Sequence, residues 1–149
     1  MSKQKRNFWI EVVLLILIVG SIAAAIIASE LKPLNEDDIK LTAADLRSFA
    51  AAGRELVAQH QAGQLTETFF NTQIQMLDDK VSSSRQTLMD SDAEAEAKQS
   101  QRAASDLAAQ IGAAIDQIES SPQNESAAAQ QLASLENKTK QLEERLKHE

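Results

Sequence analysis

The stretch "FNTQIQMLDDKVSSSRQTL", Phe70–Leu88, carries apolar side chains at alternating four- and three-residue steps. Such steps align the side chains along one stripe of an α-helix, in the heptad pattern of coiled coils. We therefore predict a helix over about 64–90, with one polar position, Ser84, inside its stripe. A helix with a single narrow stripe is not stable alone in water, so it must pack against others. The packing residues predicted for this seam are Phe70, Ile74, Leu77, Val81 and Leu88.

Three further segments show stripes of the same kind and predict helices over about 43–61, 93–119 and 125–147. The packing residues predicted for the last two are Leu107, Ile111, Ile118, Leu132, Leu135, Leu142 and Leu146. Helices of similar length joined by short connections favour an antiparallel arrangement. The expected fold class is therefore all-α, with an antiparallel helical bundle or coiled coil of three to four helices over residues 43–149.

Polar residues mark the expected connections between these helices. Thr42 has the character of an N-cap, with Asp45 three positions on, and Gly63 is a natural helix stop. Pro122 ends the third helix. Around residues 90–92 two interpretations remain open, because the acidic and small residues there suit either a hairpin turn or one continuous helical rod.

The amino-acid composition suits thin helical layers, and the net charge limits the classes of partner that the protein can bind. Aromatic residues make up 3% of the chain, and Cys is absent, so neither disulfides nor thiolate metal ligands are possible. From Lys32 onward there are 20 acidic and 12 basic residues, a net charge of −8. An acidic body of this kind argues against nucleic acid as a partner.

A long apolar run near the beginning predicts a membrane anchor. From Phe8 to Ala28 only Glu11, Gly20 and Ser21 interrupt it. At a rise of about 1.5 Å per residue such a run spans a hydrocarbon layer of about 30 Å. We expect a transmembrane helix at 8–29, after a basic tail at 1–7 and before a linker at 30–42. The anchor residues predicted to contact lipid are Phe8, Trp9, Val12, Leu15, Ile18, Ile22 and Ile26.

The flanking charges predict the orientation of this anchor. Lys3, Lys5 and Arg6 precede the run, which favours a cytoplasmic N-terminus. In a bacterial cell the chain would be a single-pass inner-membrane protein with a periplasmic, extracytoplasmic body. A cleaved signal peptide is the alternative, because residues 23–25 are Ala-Ala-Ala, but the apolar run exceeds a usual signal sequence and continues past this site. A buried core helix fits least, because too little apolar surface follows to surround it.

No catalytic or cofactor-binding motif occurs, so we expect no enzymatic activity, no cofactor and no metal site. The two histidines, His60 and His148, have no metal-ligand spacing to a third residue, and a structural role is expected for both. Ser84 and Thr139 occupy seam positions and are interpreted as tolerated polar interruptions. Phe69 cannot share one narrow seam with Phe70, so it either faces the first helix or is exposed for a partner. We expect burial between helices, because rings this large rarely stay in water.

Two functions follow as hypotheses. The first is a non-catalytic scaffold or interaction protein that binds the bilayer through one helix and meets another membrane or extracytoplasmic protein, or itself. The second is a sensory or ligand-binding module, because an anchor followed by a helical bundle is similar to the input half of chemoreceptors and sensor kinases. That resemblance is one of architecture only, since no motif identifies the family. No second span follows, so sensing would require a membrane partner. In a third arrangement the body is a cytoplasmic stalk, which the basic N-terminal flank opposes.

Overall fold

The computed structural model describes residues 33–147, apart from the side chain of Pro122. This part of the chain forms four α-helices: α1, Glu36–Gln61; α2, Glu67–Asp90; α3, Lys98–Ser120; and α4, Glu125–Arg145. A short 3₁₀ turn, Pro122–Asn124, precedes α4. The predicted anchor, with its residues Phe8, Trp9, Val12, Leu15, Ile18, Ile22 and Ile26, lies outside the described residues. Among the helices that are described, none has the length and apolar character that crossing a membrane requires.

Helix α1 begins earlier than the predicted start at 43, because Asn35 caps it. The Asn35 side chain accepts a hydrogen bond from the Asp38 amide at 2.9 Å, and the Asp38 carboxylate accepts one from the Asn35 amide at 3.2 Å. This reciprocal pair is a capping box. Thr42, the predicted cap, lies inside the helix and donates to the Asp38 carbonyl. Part of the expected linker at 30–42 is therefore helix.

A glycine with a positive φ ends α1. Gly63 has φ 69°, in the left-handed region that favours glycine. Its amide donates to the His60 carbonyl, and the Gln64 amide donates to the Gln59 carbonyl, both at 2.9 Å. These two bonds form a Schellman motif. Helix α2 then begins after Thr66, whose hydroxyl accepts from the Phe69 amide, slightly later than the predicted start at 64.

The structure places a turn, and not a continuous rod, between α2 and α3. Gln101 fastens this turn, because its side-chain amide donates to the carbonyls of Leu88 and Ser91 at 2.7 and 2.6 Å. Leu34 pairs with the same turn through a single β-bridge to Ala93. Helix α3 consequently begins at Lys98 and not near 93.

The four helices alternate in direction around one interior. Helix α1 packs most extensively on α4 and also contacts α2 and α3, whereas α2 and α4 lie on opposite sides without contact. The apolar stripes meet in this interior. Every predicted seam residue is buried: Phe70, Ile74, Leu77, Val81, Leu88, Leu107, Ile111, Ile118, Leu132, Leu135, Leu142 and Leu146. Thr139 is fully buried, and its hydroxyl donates to the Leu135 carbonyl at 2.6 Å, so this polar interruption is satisfied within its own helix.

At Gly53, α1 lies close to two neighbouring helices. A Cβ at this position would lie 2.9 Å from Cδ1 of Leu132 and 3.2 Å from Cδ2 of Leu77. Gly112, in α3, offers a matched contrast, since a Cβ there would lie 3.8 Å from Cγ1 of Val81, an ordinary contact.

We expect Gly53→Ala and Gly112→Ala to change stability in opposite directions. Gly112→Ala should stabilise by about 0.5–1 kcal/mol, because alanine loses less backbone entropy in a helix. Gly53→Ala should destabilise by about 1 kcal/mol, because buried leucines must shift. Urea unfolding of the full chain in detergent, followed by circular dichroism, measures both. Equal gains in the two variants would show that α1 does not approach α4 this closely.

Candidate functional site

Two large apolar side chains on one face of α2 are exposed to solvent. Phe69 and Met76 are one heptad apart and are 50% and 48% exposed. The prediction that Phe69 is buried between helices is therefore wrong. At this level of the bundle the ring of Phe70 fills the seam, and Phe70 is only 2% exposed. We call Phe69 and Met76, with Gln73 between them, the apolar strip.

The rest of α1 and α2 explains where the strip lies. Helical spacing puts Phe69 and Met76 on the side of α2 that faces α1, and puts Phe49 and Leu56 on the matching side of α1. The exposed strip on α2 therefore lies on the same side of the bundle as Phe49 and Leu56, which are partly buried against the core. Leu41 and Met89 are also exposed, but helical spacing places each of them on a different face from the strip.

The opposite side of α2 carries an acidic patch shared with α3, made of Asp78, Asp79, Asp116 and Glu119. Partial burial, then repulsion from Asp116 and Asp79, raises the pKa of Asp78 above its ordinary value. Partial burial and the charges of its neighbours likewise raise the pKa of Glu119. Within the described part of the chain, however, no group of three or more acidic or histidine side chains is arranged to hold a metal ion.

Ion pairs cover the face between α1 and α4. Arg47 Nη1 lies 2.8 Å from Oε2 of the nearly buried Glu143, and Lys147 Nζ lies 3.3 Å from its Oε1. The Arg47 contact is a charge contact and not an aligned hydrogen bond. Arg54 pairs with Glu136 further along. This face is therefore charged and internally paired, in contrast to the apolar strip.

At the bundle end opposite Leu34, three helices meet at His60. Its Nε2 lies 3.0 Å from Oε2 of Glu67, in the first turn of α2. Its Nδ1 lies 3.2 Å from Oε2 of Glu125, in the first turn of α4. The imidazole also stacks on the Phe70 ring, with centroids 4.0 Å apart and planes 7° from parallel. We call these four residues the His60 junction.

The surroundings of His60 favour its charged form. Burial by itself lowers the pKa of His60, but the hydrogen bonds and negative charges of Glu125 and Glu67 outweigh it and raise the pKa above 6.5. A cation in the last turn of α1 also suits the dipole of that helix. From the sequence we expected only a structural role for His60, because Glu125 is 65 residues away and Glu67 lies beyond the helix end. The antiparallel order of the helices could have indicated Glu67 and Glu125 as partners, because it brings the end of α1 to the starts of α2 and α4.

Comparisons with protein-family models, with curated proteins and with solved structures find no match for this chain. The functional argument therefore depends on the surfaces and the junction themselves.

We expect Asp78→Asn to stabilise the protein at pH 7 by roughly 0.5 kcal/mol, the scale of a relieved like-charge pair on a helical surface. The raised carboxyl pKa means that the wild type recovers stability as the pH falls through that pKa, so the variant's advantage should shrink at pH 4. Unfolding midpoints at the two pH values measure this.

Asp106→Asn is the control, because Asp106 is an exposed acid of α3 outside the acidic patch. It removes the same charge and should change stability little. Equal stabilisation by the two substitutions would mean that only net charge matters, and that the patch holds no local repulsion.

Proposed function

We propose that the chain is a non-catalytic helical interaction protein, anchored in the inner membrane by its apolar N-terminal run, that presents an acidic four-helix body outside that membrane. The observation that carries the proposal is the apolar strip. Phe69 and Met76 lie on one face of a strongly charged bundle, and about half of each residue's surface is in water. Contact with another protein would remove this apolar area from water.

The distribution of charge supports the same surface as the docking site. The acidic patch lies on the α3 side of α2, and the ion pairs lie between α1 and α4. A partner that meets the strip avoids both, and therefore need not desolvate many charged groups. Lys80 is the ionisable side chain that helical spacing places beside the strip on α2.

The anchor and its orientation are supported by the sequence. The run from Phe8 to Ala28 is long enough to span a bilayer, and basic residues precede it. Tethering in one membrane plane raises the effective concentration of the body for a partner in the same membrane. A modest apolar surface can then support association that would be weak between free proteins.

We test the proposal in intact cells with a photoreactive amino acid in place of Gln73, within the strip. Phe69→Ser with Met76→Ser should lower the yield of the cross-linked adduct by about tenfold, because loss of about 1.4 kcal/mol of contact energy has that effect. The matched control is Leu41→Ser with Met89→Ser, which removes two exposed apolar side chains elsewhere and should leave the yield unchanged.

Equal yields in the two double variants would contradict docking at the strip. Mass spectrometry of the adduct identifies its second component, either another protein or a second copy of this chain. Fractionation of the same cells should recover the intact chain with the membranes. A chain found in the aqueous fraction without its first two dozen or so residues would contradict the anchor.

A further inference from the structure

In the His60 junction, each ring nitrogen of His60 faces the carboxylate of a glutamate. Only an imidazole that carries a proton on both nitrogens can donate to both carboxylates. A neutral imidazole has one N–H group and one lone pair, whereas an imidazolium has two N–H groups. Both ring nitrogens of His60 lie within 3.2 Å of a carboxylate oxygen. A neutral ring would direct its lone pair at one of these oxygens, so with both acids present as carboxylates the observed contacts require a second proton on the ring.

We propose that the His60 junction is a proton-operated latch, which fastens the end of α1 to the start of α2 when His60 is protonated and releases that contact when the proton leaves. The proton is the ligand, and it resides on the imidazole. The proposal is independent of the membrane anchor and of the apolar strip, because it concerns contacts inside the bundle.

Exposure decides which contact opens. The side chain of Glu125 is 7% exposed, and that of Glu67 is 68% exposed. A buried carboxylate without a donor is costly, whereas an exposed one is readily solvated by water. The neutral ring therefore keeps its single N–H on Nδ1, toward Glu125, and turns its lone pair toward Glu67. Glu67 then moves into water, so the contact of His60 with α2 opens and its contact with α4 is kept.

Charged groups on the other elements do not replace this interaction. The charges that act on His60 are those of Glu125 from α4 and Glu67 from α2. The acids of α3 nearest this end, Asp116 and Glu119, face Asp78 in the acidic patch. On α1 itself, the carboxylate of Glu55 accepts from Gln59 and not from His60. The latch thus has one titrating cation and two facing carboxylates.

The direction of the pH effect follows from linkage. Because the pKa of His60 is raised in the folded state, the contribution of the latch is complete below pH 6.5 and is lost as the pH rises through the raised value. The segment affected is the loop Ala62–Thr66 together with the first turn of α2.

Glu67→Gln provides the sharpest test. A glutamine amide at this position can donate to the lone pair on Nε2, so a neutral His60 can keep both contacts, Nδ1–H to Glu125 and Nε2 to the new amide. The variant should therefore stay latched at high pH. His60→Gln cannot reproduce both contacts and should resemble the open state at every pH.

Hydrogen exchange of the full chain in detergent micelles measures the latch at pH 6 and pH 8.5, after correction for the intrinsic rates. In the wild type we expect protection of the amides at 62–70 to fall at least about threefold with rising pH, the scale of a cation at a helix terminus. The protection of the amides at 88–94, at the opposite end of the bundle, should not change with pH. Glu67→Gln should remain protected, and His60→Gln should show low protection at both pH values.

Two controls isolate the junction. Glu96→Gln removes an exposed acid in the turn between α2 and α3, and His148→Gln removes the other histidine of the chain. Both should behave as the wild type does. Circular dichroism at pH 6 confirms that each variant retains its helices. Wild-type protection that is constant with pH, or a pH-dependent loss that persists in Glu67→Gln, would overturn the proposal.

Discussion

The close approach of α1 to its neighbours is the constraint on which the rest of this structure depends. Each helix has only one narrow apolar stripe, so the apolar surface leaves water only when all the stripes meet in one interior. Small residues make the approach possible: Gly53 lies between Leu77 and Leu132, and fully buried alanines such as Ala43 and Ala50 extend the same seam. The chain must therefore turn back between helices, and the Gln101 contacts secure one of these turns.

The antiparallel order then determines which polar groups meet. It brings the last turn of α1 beside the first turns of α2 and α4, and so places His60 between Glu67 and Glu125. Each of these groups also suits the dipole at its own helix end. The junction is thus a consequence of topology. The apolar strip was not predicted from the sequence. The sequence indicates that Phe69 and Phe70 cannot both enter one seam, but only the structure shows that Phe69 is exposed.

The sequence was sufficient for the class of fold and for the packing residues, because a seven-residue repeat in apolar side chains depends little on context. The helix starts were harder to predict. The acids after Asn35 suit both a loop and a first helical turn, and the capping box with Asp38 favours the helix. At Ala93 the opposite occurs: residues that favour helix form a turn, because Leu34 pairs with them. The partners of His60 were missed because Glu125 lies 65 residues away in the sequence, and Glu67, only seven residues away, is brought back to His60 by the turn between α1 and α2.

The central claim, that narrow seams fold back into one antiparallel bundle, is tested most directly by a distance between α2 and α3. Ser82→Cys and Ala113→Cys place spin labels at exposed positions of a chain that has no other cysteine. Packed helix axes lie about 8–10 Å apart, so pulsed electron paramagnetic resonance should give a label distance below about 25 Å. A continuous helix would separate the two positions by roughly 46 Å at a rise of 1.5 Å per residue. A main population near that longer distance would contradict the account.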